Sequence, residues 1–240
     1  MAFGHHPDFK LRDPRGTITT SEWFRRGMMI NTGNIEPFCK LVHIFEDVFS
    51  NKIQEPVKML IAGIGNSQEP FSYLTTIKTI IKNKPIEEVL DLHIIDLQSC
   101  PDGGTLLDDS IYDNIPPEFA KDGFAYGPHH KYFFSTYRVT SDPFMYLIRT
   151  YENPSKSKWE TRLQDEITKY PDNYFKFISV NNLLYYIPED EIMPTYNNMC
   201  KKTEVGGYTI TEQNRYARDS KYKNNFKFCA DGIYQKTGIL

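Results

Sequence analysis

The apolar positions along the chain fall into two kinds of run. From Ile35 to Phe49, Phe38, Leu41, Val42, Phe45 and Phe49 recur three and four residues apart, one face of an amphipathic helix. Val57 to Ala62 (VKMLIA) is instead a short, nearly continuous apolar block, as in a strand buried on both faces of a parallel sheet. It runs into Gly63 and Gly65, after which Phe71, Leu74, Ile77 and Ile81 resume the helical spacing. Ser67 is a good N-cap for that helix, and Pro70 is tolerated in its first turn, where a missing N–H loses no bond. Leu92 to Ile95 is the next strand and ends at Asp96.

The second half continues the alternation. The spacing predicts a strand from Tyr132 to Tyr137, a helix from Pro143 to Tyr151 and a surface loop at PSKSK, Pro154 to Lys158. Trp159, Leu163, Ile167 and Tyr170 predict a helix, Phe175 to Val180 a central strand, and Glu189 to Lys202 a further helix. Gly206–Gly207 is expected to break that helix before a strand from Tyr208 to Thr211, and the chain closes as two edge strands or a hairpin around Asp231–Gly232. Strands alternating with helices, followed by an antiparallel pair, predict a three-layer α/β domain with a mostly parallel sheet and a terminal antiparallel hairpin. Residues 1–18, rich in Gly, Pro and charge, read as an extended arm, and Ser21 as the cap of a helix through Trp23 and Phe24. Residues 19–240 read as one domain.

Composition narrows the partners. A chain of 240 residues, 40% of them hydrophobic, can build one good core. A net charge of −3 and a pI near 6.1 give no electrostatic case for nucleic acid, and the lysines at Lys201–Lys202 and Lys221–Lys227 read as a solvated face. No apolar run approaches the ~20 residues that span a membrane. Cys39, Cys100, Cys200 and Cys229 lie far apart with no C-x-x-C pair, the pattern of reduced thiols in a cytoplasmic protein. His5–His6 and His129–His130 are adjacent pairs that do not share a face, so no metal site is expected.

Candidate chemistry lies where the strands end. Gly63 and Gly65 permit a sharp turn and the approach of a ligand to bare backbone, beside a helix N-terminus. A dinucleotide fingerprint would place a third glycine where Gln68 stands, and there is no Gly-Lys-Ser/Thr of a P-loop. Asp96, at the carboxyl end of the second strand, sits where a ribose hydroxyl pair lies in a doubly wound sheet. The structural alternatives are a plain turn at the glycines and a strand-end cap at Asp96.

Taken in order, Thr19–Arg25, Asn66–Ser72, Ile95–Leu97, Val180–Ile187, and Glu204–Ile210 with Ile233–Lys236 together resemble the CheR-type protein-glutamate methyltransferases, a branch of the S-adenosylmethionine-dependent enzymes. Asn66 to Ser72 keeps the Glu-Pro-aromatic-Ser core of the family's "Ser-x-Gly-Glu-Glu-Pro-Tyr-Ser". Ile95-Asp96-Leu97 resembles its Thr-Asp-Ile, and Val180 to Ile187 its "Cys-Arg-Asn-Val-Leu-Ile-Tyr-Phe". Glu204 to Ile210 resembles "Pro-Gly-Gly-Tyr-Leu", with Ile233 to Lys236 as the closing strand, and Thr19 to Arg25 resembles the "Asn-x-Thr-x-Phe-Phe-Arg" that folds over the cofactor.

The resemblance implies a Rossmann-like class I methyltransferase fold that binds S-adenosylmethionine and releases S-adenosylhomocysteine. It implies cofactor contacts at Ser21, Gly63, Gly65, Glu69, Asp96, Asn182 and Leu183, with Glu69 on the methionyl amino group and Asp96 on the ribose. Arg25 would clamp a carboxylate of cofactor or substrate, and Leu183 or Tyr185 would wall the transfer site. A glutamate carboxylate acceptor is already ionised at neutral pH, so its methylation needs no general base; an amine or hydroxyl would need one, for which Tyr185, Tyr186 or a nearby histidine are candidates. The chain departs from the family at Thr19, Gln68 and Asn181, where the family has Asn, Glu and Arg. The family's N-terminal helical domain and its small β subdomain that grips chemoreceptors have no clear counterpart. The acceptor is therefore left open, as a protein or a small molecule. A degenerate cofactor-binding module is the alternative, and another nucleotide-binding α/β enzyme is disfavoured by Gln68.

Overall fold

The computed structural model describes residues 36–50, 53–64, 68–100, 142–181, 183–211 and 214–239. For Glu36, Pro37, Phe38, Cys39, Gln68, Phe71, Ser72, Thr75, Thr79, Phe144 and Tyr185 the description is of the backbone alone. The strands are β1 (Val57–Ala62), β2 (Leu90–Ile95), β3 (Ser157–Lys158), β4 (Phe175–Val180), β5 (Thr203–Ile210), β6 (Phe226–Ala230) and β7 (Ile233–Lys236). The helices are α1 (Glu36–Phe49), α2 (Gln68–Ile81), α3 (Asp142–Tyr151), α4 (Leu163–Glu166), α5 (Glu189–Lys202) and α6 (Asn214–Asp219). Among the described residues the strands form one seven-stranded sheet in the order β3-β2-β1-β4-β5-β7-β6. The pairs from β3 to β5 are parallel, while β7 runs antiparallel to both β5 and β6.

Alternation along the central strands makes the three layers. Met59 and Ile61 of β1 and Leu90, Leu92 and Ile94 of β2 pack in one core with α1, α2 and α3. Leu60, Ala62 and Ile95, with Ile178 and Val180 of β4, face the opposite core with α4, α5 and α6. A sheet covered on both faces can carry apolar side chains at consecutive positions, each worth about 1.5–3 kcal/mol when fully buried. Phe45 of α1 is the hub of the first core. Its ring meets Phe177 of β4 edge-on at 5.2 Å and Tyr73 of α2 at 5.6 Å.

Three expectations are corrected. The end of the PSKSK loop is a strand: Ser157–Lys158 adds to β2 beside Ile94 and Ile95. Because β3 is only two residues long, it leaves the earlier edge of β2 open, and a side chain serves there. The Tyr146 hydroxyl donates to the Leu90 carbonyl at 2.7 Å and accepts from the Leu92 N–H at 3.2 Å. Trp159 is not part of the helix its spacing suggested. It packs with the first core and donates from Nε1 to the Tyr151 carbonyl at 3.0 Å, whereas Leu163 and Ile167 belong to the second. Finally, α5 ends at Lys202, and Gly206–Gly207 lie inside β5 where its register with β4 shifts. Gly206 has φ +80°, and a Cβ on Gly207 would stand 2.7 Å from the Lys176 carbonyl oxygen. The glycines serve a bulge rather than a helix end. The closing hairpin is as expected, except that β7 is interior and β6 alone is at that edge. The strand expected at Tyr132 to Tyr137 and the arm before α1 lie outside the described residues. Among the described residues no helix is long and apolar enough to cross a membrane.

The join between α5 and β5 is held by one buried cation. Lys236, 1% exposed, donates from Nζ to the carbonyls of Cys200 at 3.1 Å and Thr203 at 2.7 Å and to Asn173 Oδ1 at 2.8 Å. The bond to Cys200 satisfies a carbonyl that the last turn of a helix leaves without a partner, and the bond to Thr203 ties the start of β5 to it. Lys236→Met should keep the packed stem and strip the donors, lowering stability by about 2–4 kcal/mol in denaturant unfolding.

Candidate active site

The strand order reverses direction between β1 and its neighbours β2 and β4, and a crevice at such a switch point is where open α/β sheets take ligands. Three parts of the chain meet there: Gly63 after β1, Asp96 after β2, and Asn181 and Leu183 after β4.

Gly63 continues the β1–β2 ladder, its N–H donating to the Ile95 carbonyl at 3.0 Å, and then turns the chain with φ +74°. Any side chain is excluded there twice over, because a Cβ would also lie 2.9 Å from Leu183 Cβ. Gly63 and Leu183, separate in sequence, are thus packed against one another. Asp96 is buried, and both carboxylate oxygens take backbone donors: Oδ2 accepts from Ile64 N–H at 2.7 Å and Oδ1 from Gln98 N–H at 2.8 Å. Its carboxylate therefore locks the turn after β1 to the end of β2.

Glu69 enters from the first turn of α2 and is fully buried against β4. Its Oε1 accepts from Ser179 Oγ and, at 2.7 Å, from Asn181 Nδ2. Ser179 Oγ is itself bonded to the Tyr73 hydroxyl at 3.2 Å and accepts from Asn181 Nδ2 at 3.1 Å. Among the described residues no Lys, Arg or His pairs with Glu69, and its Oε2 and Asn181 Oδ1 have no hydrogen-bond partner. Burial away from water pushes the Glu69 carboxyl up to about 7, partly offset by the bonds from Ser179, Tyr73 and Asn181. Burial, then the charge of Glu69, pushes the Tyr73 phenol well above its ordinary range.

The structure thus brings Gly63, Glu69, Asp96 and Leu183 to one end of the sheet. Tyr185 lies in the short 3-10 turn Leu184–Tyr186 just past β4, with its backbone described. Arg25, Ser21, Gly65 and Asn182 are outside the described residues. Sequence reasoning passed over Ser179 and Tyr73. The available signals were a hydroxyl inside the otherwise apolar end of β4 (FISV) and the position of Tyr73, one helical turn beyond Glu69. An S-adenosyl cofactor fits the residues present: a buried carboxyl at Glu69 with no cationic partner among the described residues, and two buried acceptor atoms, Glu69 Oε2 and Asn181 Oδ1, with no described donor. Among the described residues no cluster could hold a metal ion.

No protein-family model matches the chain, and neither does any curated protein. Solved structures similar to it include a SAM-dependent methyltransferase from Archaeoglobus fulgidus, 10% identical over 78% of this chain and 55% of that one, with a TM-score of 0.35. A TehB-like SAM-dependent methyltransferase from Corynebacterium glutamicum is 11% identical over 84% of this chain and 93% of its own, with a TM-score of 0.35. The N-methyltransferase NodS from Bradyrhizobium japonicum, in complex with S-adenosyl-L-homocysteine, is 13% identical over 84% of this chain and 77% of its own, with a TM-score of 0.30. The chain spans about half the length of several other matched structures. Strand order 3-2-1-4-5-7-6 with an antiparallel β7 is the arrangement of the class I methyltransferase fold, Rossmann-like in its parallel part.

Burial of Glu69 has a measurable cost. The carboxyl binds its proton more tightly folded than unfolded, so the stability it contributes is full below its ordinary value of 4.5 and is lost as pH rises through about 7. Glu69→Gln keeps an acceptor for Ser179 and cannot ionise. Relative to wild type it should gain about 2–3 kcal/mol between pH 5 and pH 8 in denaturant unfolding. A pH-independent difference would show that Glu69 is not held as described.

Proposed function

We propose that this chain is an S-adenosylmethionine-dependent methyltransferase of CheR-like type, transferring a methyl group to oxygen on a protein or small-molecule acceptor. The observation that carries this reading is the meeting of a turn that admits only glycine with two buried carboxylates, at the carboxyl ends of β1 and β2 beside β4. Asp96 would hold the ribose hydroxyls and Glu69 the methionyl ammonium, a charge-assisted pair inside the protein. Gly63 lets the cofactor approach backbone, Leu183 walls the site from the β4 side, and Ser21, Arg25, Gly65, Asn182 and Tyr185 are assigned from the family resemblance. When bound, the cofactor supplies an activated methyl group on a sulfonium.

The chain's own part is to align and enclose. Glu69 and Asp96 fix two ends of the bound ligand, and near-attack alignment of this kind is worth ~7–11 kcal/mol of barrier. A carboxylate acceptor requires no proton to be moved. Asn181 and Gln68, where the family has Arg and Glu, favour as second reading a binding module with the same ligand and no turnover.

Thermal unfolding with S-adenosylhomocysteine, and NAD as control, tests binding. At a hundredfold excess over Kd a specific ligand adds ~2.7 kcal/mol, a rise of about 5–10 °C in a domain of this size. Asp96→Asn should abolish most of that rise. It is a cleaner variant than Asp96→Ala, which would also strip the acceptor from Ile64 N–H at a cost of about 1–3 kcal/mol. Incubation with methyl-labelled cofactor then separates the readings, since label transferred to an acceptor supports the enzyme and its absence with intact binding supports the module. No rise with S-adenosylhomocysteine would sink both.

A further inference from the structure

The cluster behind Glu69 has a consequence beyond holding a side chain in place. Ser179 and Asn181 both donate to the same oxygen, Oε1, so the carboxyl is fixed with Oε2 unused. Asn181 spends its amide N–H on Glu69 and Ser179, which sets its orientation and leaves Oδ1 as a second acceptor, buried and without a described partner. Two acceptors without described donors, on side chains bonded to each other, invite a donor with several N–H groups and repel an anion. The free chain has no described cation there to balance a carboxylate. Among the described residues Tyr73, on the same helix, is the titratable group that faces Glu69. The β4 strand contributes neutral Ser179 and Asn181, and α1 and β1 contribute the apolar Phe45 and Ile61 to the core around Tyr73.

We infer that Glu69, positioned by Ser179, Asn181 and Tyr73, is a proton-for-ammonium exchange site: it holds a proton in the free chain and gives it up to solvent when a ligand's ammonium group docks against Oε2 and Asn181 Oδ1. This rests on the methyltransferase reading and deepens it, because it makes recognition of the cofactor's amino-acid end pH-linked. The balance is one proton released to buffer for one ammonium bound, with Glu69 passing from carboxylic acid to carboxylate. A carboxyl near neutrality by burial is consistent with this exchange. Ser179 acts through Glu69 and is a positioning residue, whereas Asn181 both positions Glu69 and offers Oδ1 to the ligand itself.

The test is calorimetric titration of the full chain with S-adenosylhomocysteine, in buffers of differing ionisation enthalpy, at pH 6 and pH 8. About one proton should be released per ligand at pH 6 and about a tenth of one at pH 8, given a carboxyl titrating near 7. 5′-Methylthioadenosine, which lacks the ammonium, should bind with no such release at either pH. Asn181→Leu should weaken S-adenosylhomocysteine about tenfold or more and leave methylthioadenosine unchanged, a discrimination that a merely structural residue would not show. The wild-type proton counts stand even if that variant fails to fold. Binding of S-adenosylhomocysteine without proton release at pH 6, or equal release with both ligands, overturns the exchange and leaves the methyltransferase reading intact. No binding of either ligand overturns both.

Discussion

A carboxyl group buried with no cationic partner among the described residues is the constraint around which this structure is arranged. Taking Glu69 out of water disfavours its charged form, and the protein meets that cost with hydroxyl and amide donors rather than with an ion pair. Those donors are drawn from β4, so the first turn of α2 is tied to the strand beside β1. Tyr73 extends the network into the core, where its ring is packed edge-on against Phe45. The site is therefore continuous with the aromatic contacts that join α1, α2 and β4. A change in Phe45 would reach Glu69 through one side chain.

The second carboxylate solves a different problem. Asp96 is satisfied by backbone N–H groups from both strand ends, and so it shapes the turn as well as offering acceptors to a ligand. The Gly63–Leu183 contact closes the same region from the β4 side. One carboxylate is built into the scaffold, each oxygen accepting from a backbone N–H. The other is held with an oxygen open. That contrast, produced by environment alone, is what distinguishes their proposed roles at the ribose and amino-acid ends of one ligand.

Elements whose side chains repeat with a single period were legible from the chain. The apolar block of β1, the helical spacing of α1 and α2 and the limits of α5 follow from local pattern, because burial on one face or two imposes it directly. Patterns failed where a residue serves a partner remote in sequence. Trp159 has helical spacing with Leu163, yet it packs across the sheet edge on Tyr151. Ser157–Lys158 carries no apolar signal because a two-residue edge strand buries almost nothing. Gly206–Gly207 reads as a helix break, but its cause is the Lys176 carbonyl on the adjacent strand.

By itself the sequence determined the alternation of elements, the antiparallel close and the presence of Gly63, Glu69 and Asp96 at the ends of apolar runs. These depend on side-chain period and backbone permissiveness, which are local. Only the tertiary structure decided that Ser179, Tyr73 and Asn181 converge on Glu69, that Leu183 abuts Gly63, and that Asp96 holds Ile64. Glu69 and Asn181 are separated by 112 positions, and Asp96 and Ile64 by 32. Hydrogen-bond partners and desolvation are properties of what surrounds a group after folding, so no local pattern in the chain encodes them.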